Sequence, residues 1–138
     1  EGVFYCADAV FSREVVEKYH VNYVWDVRQA LASLDKLTEV EAEWVLPAHA
    51  EPTASIAELR DLNRAKMEEL MALLLKLCRE PMDFDSLLTA LFDHYGLTMS
   101  LSQYALVGSS VHSYLTFLMD EKKIAPLFAG NKLLWQTL

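Results

Sequence analysis

The sequence predicts an α+β protein: a small αβ layer over residues 1–54, a long connecting helix over 55–80, and a helical, winged-helix-like domain over 81–138. Three observations predict it. Two short apolar runs, at residues 3–7 and 44–46, are rich in β-branched and aromatic side chains and too brief for helices, so they read as strands. Between and after them, leucine and valine recur at helical spacing behind Ser or Asp residues suited to capping. Near the end, Gly130-Asn131 divides two apolar runs, as a hairpin turn does.

Val3-Phe4-Tyr5-Cys6-Ala7 is the first strand, and Asp8 follows at its C-terminal end, where a sheet meets solvent. Ser12 caps a short helix with Val15, Val16 and Tyr19 on one side, and Asn22 marks the loop beyond. Asp26, with Gln29 three residues on, opens a second helix whose Ala30, Leu31, Leu34 and Leu37 face the sheet. Trp44-Val45-Leu46 is the second strand. Pro47, which has no N–H for a ladder, is expected to end it, leaving His49 in the following loop. Ser55 and Glu58 form another capping box, starting a helix to about Arg79 with Ile56, Leu59, Leu62, Leu70, Leu73, Leu74 and Leu77 as its stripe. Pro81 stops it. At about 1.5 Å per residue it is roughly 36 Å long, more than a small sheet needs for cover, so it reads as a bridge between subdomains.

In the tail, Asp83 caps a helix that turns Phe84, Leu87, Leu88, Leu91, Phe92 and Tyr95 inward, and Gly96 closes it. A shorter helix is expected from Ser102 through Val107, a tight junction at Gly108-Ser109-Ser110, and a third helix through Val111, Tyr114, Leu115, Leu118 and Met119 to about Glu121. Three helices followed by a hairpin describe a winged helix. Such a module would read DNA with Ser109, Ser110, His112, Ser113 and Thr116, but charge argues against it. The tail holds five acidic and three basic side chains, and no Lys or Arg lies between Val107 and Glu121, so the phosphate-neutralising groups that give most non-specific affinity are missing. Lys122, Lys123 and Lys132 are its basic residues. Residues 1–54 hold ten acidic and four basic side chains, residues 55–80 five of each, so no segment is a basic patch and nucleic acid is not an expected partner.

Chemistry points to two residues. Asp8 and His49 each stand beside the end of a strand, one a hard oxygen donor and the other a borderline nitrogen donor, a mixture suited to zinc, manganese or iron. The motifs around them, Ala7-Asp8 and Pro47-Ala48-His49-Ala50, resemble the second half of the metallo-β-lactamase superfamily, where a strand ends in a G-D pair and a P-G-H-G loop follows a helix. The wider pattern, including DAVFSREVVEKYHVNYVWDV, SLDKL, ELRDLNRAKMEEL and SQYALVGSSVHSYLTFLMDEKKI, is similar to one bacterial group of such hydrolases and covers essentially the whole chain. That resemblance implies a metal-dependent hydrolase, with Asp8 bridging two ions, zinc first with iron or manganese as alternatives, and His49 as the last metal-binding histidine. It also implies that comparable helical modules follow the catalytic sandwich.

The superfamily's H-x-H-x-D-H motif, source of most of its metal ligands, does not occur in the sequence, so the first half of the fold is expected to lie outside this chain. Residue 1 is Glu rather than Met and begins almost inside a strand, as a truncated chain would. By itself the chain is expected to hold no catalytic metal, no cofactor and no complete catalytic set. Its substrate class, among thioesters, lactones, β-lactams and phosphodiesters, is not legible. The rival reading is a non-catalytic winged-helix module for protein interaction or nucleic-acid binding.

At 53% hydrophobic residues and a mean hydropathy of +0.13, the chain has more apolar surface than a domain of this size needs. The missing half, or a second copy in a homodimer, is the expected cover. Cys6 and Cys78 read as buried thiols, which with the lack of a signal peptide or membrane span indicates a cytoplasmic protein. His20 and His94 sit at helix ends, where capping is their expected role, His112 lacks metal-ligating neighbours, and Glu51 stands beside the ligand loop. No phosphate-binding loop, nucleophile elbow or internal repeat is present.

Overall fold

The computed structural model describes residues 2–138. Along the chain run β1 (Val3–Phe11), α1 (Arg13–Tyr19), α2 (Val27–Lys36), a 3-10 turn (Leu37–Glu39), β2 (Trp44–His49), α3 (Ala57–Leu77), α4 (Phe84–Tyr95), α5 (Leu101–Asp120), β3 (Ile124–Ala129) and β4 (Lys132–Thr137). They fall into two units. The first holds the chain up to His20 together with Arg28–Glu68, and the second holds Val21–Val27 and Glu69–Leu138, so the division falls inside α3.

In the first unit β1 and β2 pair in parallel, Val3 opposite Trp44, Phe4 opposite Val45 and Tyr5 opposite Leu46. Beyond Tyr5 the register shifts twice, on either side of Ala7, and the shifted strand brings Phe11 opposite His49. β1 is therefore longer than the apolar run at 3–7, carrying Asp8 within a bulged stretch rather than after the strand. Pro47 does not end β2, which continues to His49. The reason is which way its backbone points. Val45 exchanges both main-chain hydrogen bonds with Thr53 (2.8 and 3.0 Å), while Trp44 N–H donates to Gly2 on the β1 side (2.8 Å). Two residues on from Val45, Pro47 turns its missing N–H away from β1, where no ladder bond is lost.

Ser12 caps α1, its hydroxyl accepting from Val15 N–H at 3.3 Å, α2 buries Leu34, and the 3-10 turn after it buries Leu37. α3 begins one residue later than its expected box: Arg60 N–H bonds to the Ile56 carbonyl at 2.9 Å. Glu58 reaches Arg13 instead, 3.3 Å away. Arg64 ties α3 to α2 through Asp35 and the Leu31 carbonyl.

In the second unit, Asp83 accepts from Ser86 N–H (3.0 Å) and hydroxyl (2.9 Å) to cap α4. Gly96 closes it at φ 64°. Leu87, Leu88 and Leu91 are fully buried. The two helices expected on either side of Gly108 are one continuous helix, α5, capped by Ser100 rather than Ser102. Small residues there serve packing, not a break. Ser110 is fully buried, its hydroxyl donating to the Leu106 carbonyl (3.2 Å) and accepting from Val24 N–H (3.0 Å), while Ser113 donates to the Trp25 carbonyl (2.7 Å). The segment Val21–Val27 thus gains backbone partners it would otherwise lack.

The closing hairpin is as expected. β3 and β4 pair antiparallel with Ala129 opposite Lys132. Gly130 and Asn131 both take positive φ (55° and 61°), as a type I′ turn requires. Met82 exchanges two further main-chain bonds with Trp135 (3.1 and 2.8 Å). No helix among the described residues is long and apolar enough to cross a membrane.

Candidate metal centre

The two strands bring Asp8 and His49 together. His49 Nε2 lies 3.1 Å from Asp8 Oδ1, and both side chains are open to solvent, 50% and 73% exposed. His49 is held at two points, ring and main chain. Its ring stacks on Phe11, centroids 5.1 Å apart and planes within 12°. Its own carbonyl accepts from Ser12 N–H at 2.9 Å. Local backbone sets Asp8: Ala7 just before it adopts φ 48°, the left-handed region, at the point where the register shifts. An ordinary β backbone there would keep strict alternation and send the next side chains to opposite faces.

Asn63 completes the arrangement, and the sequence reading missed it. Its amide oxygen accepts from Phe11 N–H (3.0 Å) and its nitrogen donates to the Phe11 carbonyl (2.8 Å). A usable signal exists: Asn63 stands four residues after Leu59 and four before Met67, a polar side chain on the apolar stripe of α3. Polar residues on such a stripe stay only when hydrogen-bonded.

As donors, a carboxylate oxygen and an imidazole nitrogen side by side fit two positions around a divalent ion. A catalytic zinc takes about three protein ligands. Among the described residues no group of three or more His, Cys, Asp or Glu side chains converges. Asp8 and His49 are thus two donors where such a centre takes about three.

No family model matches the sequence, and no curated protein sequence is similar to it. Solved structures are similar. A β-lactamase domain protein from Burkholderia ambifaria superposes with a TM-score of 0.77 at 14% identity, covering 99% of this chain and 42% of the other. A metallo-β-lactamase family protein from Thermus thermophilus gives 0.73 at 19% identity, covering 100% and 42%. The fold is a partial metallo-β-lactamase fold. This chain spans about two fifths of each of those proteins.

Within that metallo-β-lactamase portion and its tail, the other candidates take local roles. His20 caps α1 through its backbone, its N–H bonding to the Val16 carbonyl (3.0 Å), and its Nδ1 lies 3.2 Å from Lys66 Nζ. His94 meets the Tyr95 ring edge-on at 4.9 Å. His112 stacks on Phe84, centroids 3.8 Å apart, and burial pushes its imidazole below the usual histidine range. Glu51 is an exposed loop residue. Of the five candidate DNA-reading residues, Ser110 is buried, and the hydroxyls of Ser113 and Thr116 donate to main-chain carbonyls. Cys6 and Cys78 are both buried free thiols.

Proposed function

We propose that this chain is the C-terminal portion of a metal-dependent hydrolase of the metallo-β-lactamase superfamily, in which Asp8 bridges two ions and His49 binds one. The observation that carries the reading is the 3.1 Å approach of His49 Nε2 to Asp8 Oδ1 on neighbouring strands. An ion held there supplies a Lewis acid and a hydrolytic nucleophile at neutral pH. Asp8 contributes negative charge that offsets the cation. His49 must present an unprotonated Nε2, so binding selects the tautomer with its proton on Nδ1. Zinc suits this donor pair first, then iron or manganese.

The remaining ligands belong, on this reading, to a preceding half of the same fold. Val3 and Tyr5, 60% and 65% exposed, lie two residues apart on one side of β1 and leave an apolar strip for that half to cover. A second copy of the chain covers the strip when the half is absent. The second unit, with the end of α3, α4, α5 and the hairpin, is read as a winged-helix-like appendage whose net negative charge keeps it off nucleic acid.

Elemental analysis tests this. The isolated chain should retain no stoichiometric ion after chelator treatment, and the full-length protein should retain one or two. In the full-length protein, Asp8→Asn and His49→Ala should each lower metal content and hydrolysis together. Wild-type metal content in both variants would remove these residues from the site.

A further inference from the structure

We infer that Asn63 is the positioning residue of the Asp8–His49 pair, which rests on reading that pair as part of a metal site. Asn63 is 93% buried, its exposure being 7%. Burying an amide costs free energy unless its groups find partners, and here they do. Oδ1 accepts from Phe11 N–H at 3.0 Å, and Nδ2 donates to the carbonyls of Phe11 and Leu59, each at 2.8 Å. The Leu59 bond anchors the amide to its own helix, and the two Phe11 bonds grip the last residue of β1 as a neighbouring strand would.

The grip falls where the strand most needs it. β1 has lost register twice before Phe11, so its end lacks a regular ladder. Phe11 in turn carries the face on which the His49 ring lies, within 12° of parallel. Ser12, the next residue, holds the His49 carbonyl at 2.9 Å. Helix α3, Asn63, Phe11 and His49 form a continuous chain of contacts ending on the nitrogen that faces Asp8. Exposed to half its area, the imidazole would otherwise sample several rotamers. A merely structural asparagine would stabilise the fold without selecting one of them.

The test is solution NMR of the metal-free chain. In wild type, the facing phenyl ring should move the carbon-bound ring protons of His49 upfield, with cross-relaxation between the two rings and between His49 and Asp8. In Asn63→Ala the upfield displacement and both contacts should be lost, while the amide spectrum of residues 84–138 stays put. Asn63→Asp keeps the shape and the acceptor for Phe11 N–H but sets a second acceptor against the Phe11 carbonyl, and it should show the same loss. A folded variant of either kind with His49 signals identical to wild type overturns the inference. If neither variant folds, Phe11→Leu decides, because it leaves the amide grip in place: loss of the His49–Asp8 contact supports the relay, and its retention overturns it. No ion enters these measurements. A failure here therefore differs from failure of the metal-site reading, which Asp8→Asn and His49→Ala report through metal content.

Discussion

Phe84 and His112 lie ring on ring, 3.8 Å apart and within 5° of parallel. Partial desolvation of a ring that keeps an exposed edge disfavours the imidazolium, so the folded state holds His112 below its ordinary pKa. The unfolded chain then binds the proton more readily. Stability of the second unit should be full above the unfolded histidine value of about 6.5 and decline as pH falls from there to the lower folded value. Denaturant midpoints between pH 7.5 and 5 read the decline. His112→Phe, which keeps a stacked ring, should shrink that pH dependence, and an unchanged slope would show that other groups cause it.

Ala7 occupies left-handed backbone at φ 48°. A side chain there costs about 1–2 kcal/mol relative to glycine, less the extra unfolded-state freedom that glycine brings. Ala7→Gly should accordingly leave stability unchanged or raise it by up to about 1 kcal/mol. Ala7→Val should destabilise by more than 1 kcal/mol or so, since β-branched residues are genuine outliers at positive φ. Chemical denaturation of both variants checks the ordering.

Ser110 is fully buried and receives Val24 N–H. Ser110→Ala removes that acceptor and should cost about 1–3 kcal/mol, the penalty of a buried donor left unmade. Hydrogen exchange at Val24 gives a local readout, with loss of protection there exceeding the global change.

Gly96 ends α4 at φ 64°, and open space surrounds the position where a Cβ would stand. Gly96→Ala therefore meets no clash, and its cost should be the backbone's alone, about 1 kcal/mol. A loss of several kcal/mol in thermal or denaturant unfolding would indicate a packing role instead.

What the sequence made legible is what depends on near neighbours. Ser12, Asp83 and Gly96 cap helices through bonds to residues within a turn or so, and Gly130-Asn131 makes its own hairpin, so each could be read locally. Two expectations failed because distant partners decided them. Gly108-Ser109-Ser110 reads as a break in isolation, yet residues 24 and 25 dock on Ser110 and Ser113 and reward a continuous helix. Pro47 reads as a terminator, yet the direction of its nitrogen depends on Thr53 and β1. At the candidate site, Asp8 and His49 were visible as polar residues beside apolar runs, though Asp8 lies inside β1 and His49 ends β2 rather than standing in a loop. Asn63 stood out only as a polar residue on the stripe of α3, and its partner was not legible, because Phe11 lies 52 residues away in sequence.

The same separations bear on the order in which the chain takes shape. The closing hairpin joins Ala129 to Lys132 and can form within about 1–10 μs. The parallel pair, by contrast, sets Tyr5 against Leu46, and closing so long a loop is entropically costly and slow. Phe11 gains its amide grip only once Asn63 has been synthesised. On a ribosome, Asp8 waits for its imidazole until β2 emerges, and the imidazole waits for its fixed orientation until most of α3 has followed. The part of this chain made first is completed only when its middle has been made.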